Sequence, residues 1–250
     1  MSDSIGSQLA MLKELLKITS EHHSKQIDEL NKFEPLNEKD KEFIASALKE
    51  TAEATDPVRI MEKKLRLIKE ADDIVIKSNL MDDLVDLLGQ IDLATIFIKN
   101  YYGLDEIRKA FLSEKNIEIL ADYITLLTTV ASNNVDVQNC IYEYNEEYDF
   151  LQTLMEKFVL NTDIEVKLRM RSLGSISAIV GHHTANFTNF LSMDGISKLR
   201  NLLESKLRNA TFVARIKYTL NAMRLAIPEI SEADKEKYAS DILYLQQCTY

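Results

Sequence analysis

Residues that interrupt helices are scarce in this sequence, which has only three prolines and six glycines among 250 residues. Proline removes a backbone donor and glycine is conformationally free, so both are unfavourable inside a helix. Hydrophobic residues make up 46% of the chain, which is enough for a sizeable core that needs no metal or disulfide. The composition therefore predicts an all-α protein with long helices and short connections.

Positive charge is also in short supply, because 30 lysines and arginines face 40 aspartates and glutamates, for a net charge of -10. Nucleic-acid binding needs basic patches that displace counterions from phosphates, so we expect no nucleic-acid partner. Apolar segments such as 117–131 are broken by Glu118 and Asp122, well short of the roughly 20 uncharged residues of a membrane span. The N-terminal residues also lack the basic start and apolar core of a signal peptide. We therefore expect a cytoplasmic protein with no membrane partner.

Sequence motifs of catalysis and metal binding are missing as well. The chain contains no GxSxG, HExxH, P-loop, GxGxxG or paired CxxC motif. Two pairs of adjacent histidines, at 22–23 and 182–183, raise the question of metal binding, but neighbours on a helix point about 100° apart and do not easily share one ion. We expect no catalytic residue, no metal site and no cofactor, and therefore a protein that is not an enzyme.

Three segments are predicted along the chain. Asp56 is a good N-cap and Pro57 suits the first helical position, so a new domain begins there. Before it, an amphipathic helix at 9–18 and a second helix from about Asn37 flank a polar stretch. The predicted segments are an N-terminal helical, partly flexible segment at 1–55, an armadillo-like repeat domain at 56–228 and a C-terminal helix at 229–250.

An internal repeat organises the central segment. The stretches "DLATIFIKNYYG", "VDVQNCIYEYNE" and "ANFTNFLSMDGI" begin at residues 92, 135 and 185, so their starts lie 43 and 50 residues apart. Apolar residues occupy matching columns, namely Ala94, Val137 and Phe187; Phe97, Cys140 and Phe190; and Ile98, Ile141 and Leu191. This period is typical of armadillo and HEAT repeats. We predict an armadillo-like, right-handed α-solenoid of about four repeats with an N-terminal helical lead.

A single glycine follows the short helix in two of the three copies. Gly103 and Gly195 stand at the junction with the next helix. Helices commonly end on a residue with positive φ, which glycine adopts without a Cβ clash. We therefore predict that both glycines are helix stops with positive φ.

The third helix of each repeat is predicted near 78–90, 116–133, 164–182 and 210–226. On these helices small or polar residues recur at i, i+4, i+7 and i+11, which is one helical face. One interpretation is a concave groove for a partner, and the other is a tight contact between helices. Arginines in matching columns favour the groove. Its predicted partner-binding residues are Asp82, Thr125, Thr128, Arg171, Ser175, His182, Arg215 and Thr219.

Several stretches resemble one protein family. They are "GQIDLATIF" at 89–97, "TTVASNNVDVQNCI" at 128–141 and, most specifically, "RMRSLGSISAIVGHHTANFTNFLSMDGISKL" at 169–199. They are similar to the armadillo-type nucleotide exchange factors of heat-shock protein 70 chaperones, the cytosolic heat-shock-protein-70-binding-protein or Fes family. The resemblance covers about residues 9–226.

The resemblance implies a function as a co-chaperone. Members of this family embrace the nucleotide-binding domain of the chaperone with their concave face and open its cleft, so that ADP leaves. Arg171 and Arg215 match basic positions on the third helices. The expected protein is a monomer that binds a cytosolic heat-shock protein 70 and no nucleotide. The alternative is a non-enzymatic armadillo-repeat adaptor or scaffold for another protein, because fold does not fix the partner.

Overall fold

The computed structural model describes Lys13, Lys17 and the ranges 37–205 and 209–247, apart from the side chains of residues 50, 52 and 53. The predicted helix at 9–18 therefore lies outside the described residues, except for Lys13 and Lys17, which are helical and exposed. The chain divides into two compact units, residues 1–53 and residues 54–250.

Helices form the regular structure of the described ranges, which contain no β-strand. In chain order they are α1 Glu38–Thr55, α2 Pro57–Glu70, α3 Ile74–Leu87, α4 Ile91–Asn100, α5 Gly103–Ser113, α6 Ile117–Ala131, α7 Val135–Glu143, α8 Phe150–Thr153, α9 Val166–Val180, α10 Thr184–Ser192, α11 Gly195–Glu204, α12 Ala210–Arg224, α13 Glu232–Lys237 and α14 Ala239–Gln247. A π-helix at Leu154–Val159 continues α8, and 3-10 turns lie at Tyr144–Glu146 and Ile227–Glu229.

Side-chain caps set where several helices begin. The Asp56 carboxylate accepts a hydrogen bond from the Val58 amide at 2.9 Å, and Pro57 is the first residue of α2, as the sequence predicts. The Asn37 side chain accepts from the Asp40 amide at the start of α1. Each cap satisfies one of the amides that have no partner within the helix, so these starts are encoded locally.

The helices stack as repeats in the second unit. The third helices α3, α6, α9 and α12 pack side by side in chain order, and the short helices α4, α7 and α10 do the same. Their buried side chains join one hydrophobic core that extends from Met61 to Leu245. The structure confirms an all-α solenoid of helical repeats, whose core is shared between neighbouring repeats.

Buried amides hold two neighbouring repeats together. The Gln138 side chain donates to the carbonyls of Ala178 and Gly181 at the end of α9. The Asn186 side chain donates to the Gln138 and Ile179 carbonyls. Ala178, Ile179 and Gly181 lie at the end of α9, where carbonyls lack partners within the helix, so three of these contacts satisfy groups that would otherwise be buried unpaired.

The glycines at the repeat junctions do not have positive φ. Among the described residues, the positive-φ positions next to them are Tyr102, at 53°, and Asp194, at 59°. Gly103 and Gly195 are instead the first residues of α5 and α11. The prediction that these glycines are helix stops with positive φ is therefore wrong, since the preceding residue makes the turn in both repeats.

Close packing is the reason for both glycines. A Cβ on Gly103 would lie 2.6 Å from the ring of Phe97, and a Cβ on Gly195 would lie 2.5 Å from the ring of Phe190. Both rings are buried, at 1% and 0% exposure, and occupy the same column of the repeat. The copy that has Cys140 in this column has no glycine at the junction. Phenylalanine and glycine thus form a matched pair across the turn.

Candidate partner-binding surface

Most of the predicted partner-binding residues lie on the four third helices, α3, α6, α9 and α12, which are neighbours in the fold. We call their solvent side the third-helix face and define it by Asp82 on α3, Thr125 on α6, Arg171 on α9, and Arg215 and Tyr218 on α12. Asp82 and Tyr218 are exposed, and the other three are half-buried. Thr128 is also half-buried on α6, and His182 is exposed in the turn after α9 with φ of 56°.

Two of the predicted residues are not on the surface. Ser175 and Thr219 are both 0% exposed. The Ser175 hydroxyl contacts the Thr128 hydroxyl at 2.6 Å and donates to the Ile124 carbonyl of the neighbouring helix. The prediction of partner contact is therefore wrong for Ser175 and Thr219. At Ser175 a small side chain contacts the neighbouring helix directly, which was the alternative interpretation of the pattern.

Arg171 is paired within the protein. Its Nη1 atom lies 3.7 Å from Oδ1 of Asp122 and donates to the Thr125 hydroxyl at 3.3 Å. Asp122 is only 7% exposed, and the Ser78 hydroxyl donates to its Oδ2 atom at 2.8 Å. Three successive third helices thus share one polar network. Much of the Arg171 charge is directed at a buried carboxylate.

Asp122 is the residue of this network that the sequence pattern missed. The pattern passes through Ala121, the residue before it. Burial raises the pKa of Asp122 and the nearby Asp82 adds to the rise, whereas the Ser78 hydrogen bond and Arg171 oppose it. The sequence did contain a signal for Asp122, namely an acidic residue within the apolar stretch "ILADYITLL". A carboxylate that is buried in such a stretch needs a polar or charged partner.

Arg215 has a different environment from Arg171. Its guanidinium lies over the Tyr218 ring, 5.3 Å from the centroid, and its Nη2 atom fills the space where a Cβ of Gly174 would be. Arg171 forms an ion pair with the Asp122 carboxylate, whereas Arg215 forms no ion pair with any residue that the structure describes. Arg215 therefore offers an arginine charge that no carboxylate of the described residues neutralises.

Charge changes sign along the row of third helices. Helices α3 and α6 carry mostly acidic residues, namely Asp82, Asp83, Asp86, Glu118 and Asp122 against the single Lys77. Helices α9 and α12 carry only basic ones, namely Lys167, Arg169, Arg171, Arg215, Lys217 and Arg224. Arg169 is buried and stacks on Phe212 at 4.3 Å, and Arg171 is paired with the buried Asp122, so the remaining basic residues supply most of the positive charge of this half. The two halves of the row therefore favour partner surfaces of opposite sign.

His183 is a structural histidine at the start of α10. Its Nδ1 atom accepts a hydrogen bond from the Asn186 amide at 3.1 Å, and its Nε2 atom lies 2.9 Å from the Asn139 side-chain oxygen. These partners require a neutral ring with its proton on Nε2. Burial lowers the pKa of His183 below its usual 6.5. In the described residues, no three His, Cys, Asp or Glu side chains come together as metal ligands.

Protonation of His183 is expected to destabilise the fold. Because its pKa is lower in the folded state, the unfolded chain binds the proton first as the pH falls below about 6.5. The stabilisation is complete above that pH and is lost as the pH falls through the folded-state pKa. His183→Asn keeps an N-cap acceptor that does not titrate, so this variant is expected to lose less stability than the wild type between about pH 7.5 and pH 5.5. Urea unfolding at both pH values measures the difference, and equal losses in the two proteins would contradict the prediction.

The solved structure that we compare with this chain supports the fold alone. It is the crystal structure of an engineered protein, a target of the Northeast Structural Genomics Consortium, with a TM-score of 0.53 and 15% sequence identity over 82% of this chain and 85% of that chain. No protein-family model matches the sequence, and no curated protein matches it. In the described ranges no helix is long and apolar enough to cross a membrane. The structural likeness is therefore a likeness of fold and carries no function.

Proposed function

We propose that this protein is a cytosolic nucleotide exchange factor that binds the nucleotide-binding domain of a heat-shock protein 70 chaperone through its third-helix face. The observation that carries the proposal is the continuous row formed by α3, α6, α9 and α12, whose charge changes from acidic to basic. A surface with both signs in a fixed order selects the orientation of a partner as well as its identity.

The resembling stretches favour an exchange factor over other partner-binding proteins. The most specific one, residues 169–199, includes most of α9, all of α10 and the start of α11. It therefore contains Arg171, which belongs to the basic half of the third-helix face, and Gly174, which lies next to Arg215. The fold itself favours no particular partner, because similar solenoids serve many functions.

The proposed mechanism is a shift of the chaperone between two conformations. A protein that binds the open nucleotide cleft more tightly than the closed one increases the open population, from which ADP leaves. Moving such an equilibrium from 1:99 to 99:1 requires a difference in binding free energy of about 5.5 kcal/mol. The exchange factor needs no nucleotide site, metal or cofactor of its own for this effect.

The alternative function is a non-enzymatic adaptor that binds another protein through the same face. The polarity of the third-helix face supports an adaptor equally, so the two functions are separated by the partner. An adaptor has no reason to favour one nucleotide-dependent conformation of the chaperone. It is therefore expected to leave the rate of ADP release unchanged.

The test is the rate at which labelled ADP leaves a cytosolic heat-shock protein 70. With saturating unlabelled ATP as the chase, we expect the protein to increase this rate at least tenfold. Lys198→Ala is the matched control for the loss of one positive charge from the third-helix face. Lys198 pairs with Glu156 away from the third helices, so this variant is expected to keep the wild-type effect on ADP release. An unchanged release rate with wild-type protein would exclude the exchange function and leave the adaptor.

A further inference from the structure

We propose that two copies of this chain pair through the third-helix face, with the acidic half of each row against the basic half of the other. The resemblance implies a monomer, so the proposal differs from that expectation. It goes beyond the proposed function, because it assigns a second partner to the third-helix face. A copy that is paired in this way has to separate before the face can bind a chaperone.

The third helices run parallel to one another and in register. The Ser78 hydroxyl on α3 contacts Asp122 on α6, and Thr125 on α6 contacts Arg171 on α9, so the contacting residues are 44 and 46 positions apart. Both separations are close to one repeat. Residues one repeat apart therefore lie at nearly the same height along neighbouring third helices.

Several charged side chains of this row have no counter-ion within the described part of the chain. They are Asp82 and Asp86 on α3, Glu118 on α6, Lys167 on α9 and Arg215 on α12. The first four are exposed, and Arg215 is half-buried. Glu118 precedes Thr125 by seven residues and Lys167 precedes Arg171 by four, which are the spacings of one helical side. The charges that are open to a partner thus follow the order acidic, acidic, basic, basic.

This order is self-complementary under one two-fold rotation. An axis parallel to the third helices reverses the row, so that α3 faces α12 of the second copy and α6 faces α9. An axis along the row would instead place α3 against α3 and α12 against α12, where like charges repel. Closed dimers use the same patch on both copies. The order of the charges therefore selects a second copy as the partner and fixes its orientation.

The heights of the charges along the helices also match, because a rotation about an axis parallel to the helices does not change height. Glu118 and Lys167 are the second residues of α6 and α9, so they meet at the same height. Asp82 lies about one turn further along α3 than Arg215 lies along α12, which is about 5 Å of rise and within reach of an extended arginine. Each of these contacts forms twice in the dimer because of the symmetry.

A second copy fits this surface better than a uniformly acidic ligand does. An acidic peptide or a nucleic acid would be attracted by α9 and α12 but repelled by α3 and α6, whereas the second copy is matched along the whole row. Each copy carries a net charge of -10, but repulsion between distant charges is screened beyond about 8 Å at physiological salt. Tyr218, which is 61% exposed beside Arg215, adds apolar area to the contact. Exposed ion pairs are individually weak, so we expect a dissociation constant of about 10 to 100 µM.

The test is sedimentation equilibrium of the full chain at about 0.15 M salt, over a concentration range that brackets this dissociation constant. Asp82→Arg and Arg215→Asp each place like charges opposite one another, so each is expected to raise the dissociation constant at least tenfold. An equimolar mixture of the two variants is expected to restore association, because both contacts of the mixed dimer at these positions then join opposite charges.

A chain that carries both changes is the control for net charge. It keeps the net charge of -10, and its own dimer again joins opposite charges, so it is expected to associate like the wild type. Asp92→Arg reverses an exposed charge on the short helix α4 and is expected to leave association unchanged. Thermal unfolding checks that each variant is folded. If either single variant unfolds, Glu118→Lys and Lys167→Glu provide the same cycle at the contact between α6 and α9.

Three results would overturn the proposal. They are a wild-type chain that stays monomeric throughout the concentration range, single variants that associate as tightly as the wild type, and a mixture of folded variants that does not restore association. None of these measurements contains a chaperone, so the dimer and the exchange function fail separately.

Discussion

Replacing Arg215 with alanine is expected to weaken chaperone binding at least tenfold and to abolish accelerated ADP release, while the melting temperature stays unchanged. Removing one partner of a buried charge pair at an interface costs about 2 to 5 kcal/mol. Arg215 forms no ion pair with the described residues, so its removal leaves no buried carboxylate unpaired. Binding by calorimetry, ADP release and thermal unfolding of the same preparation measure the three effects.

Arg171→Ala provides the contrast, because this arginine pairs with the buried Asp122. Its removal leaves a carboxylate without a cation, and we expect a loss of about 1 to 3 kcal/mol in the free energy of unfolding. Asp122→Asn in the same chain is expected to recover much of the loss. A variant with both arginines replaced would lose chaperone binding and folding stability together, so neither loss could be assigned to one arginine. If Arg215→Ala lowers the melting temperature while Arg171→Ala does not, the roles assigned to the two arginines are reversed.

Gly195→Ala is expected to destabilise the protein by about 2 to 3 kcal/mol, which is large for the addition of one methyl group. The new Cβ would lie 2.5 Å from the ring of Phe190, which is fully buried. Without this ring the same change would stabilise the helix, since Gly195 has an ordinary φ at the first position of α11. Urea unfolding measures the loss.

A second substitution tests the cause of that loss. Phe190→Leu shortens the side chain that meets the new Cβ, so the double variant is expected to be more stable than the sum of the two single losses predicts. Ser192→Ala, an exposed change at the end of α10, is the control and is expected to change the free energy of unfolding by less than about 0.5 kcal/mol. Additive losses in the double variant would show that Gly195 is required for another reason.

The helices and their repeat could be predicted from the sequence because both depend on local patterns. Asp56 and Asn37 cap helices through amides two or three residues away, and the matching apolar columns recur on short helices whose burial has a helical period. The positions of Arg171 and Arg215 on adjacent third helices follow from the same period. The partner itself remains a proposal, since the local pattern of a solenoid does not encode it.

The roles of individual residues on the third helices were decided by the tertiary structure. Ser175 and Arg215 belong to one sequence pattern, yet one is buried between helices and the other reaches solvent. The need for glycine at position 195 likewise comes from tertiary structure, since the Phe190 ring on the preceding short helix occupies the space of a Cβ. Exposure and close approach depend on how neighbouring helices are spaced, and that spacing is set by side chains that meet only after the chain has folded.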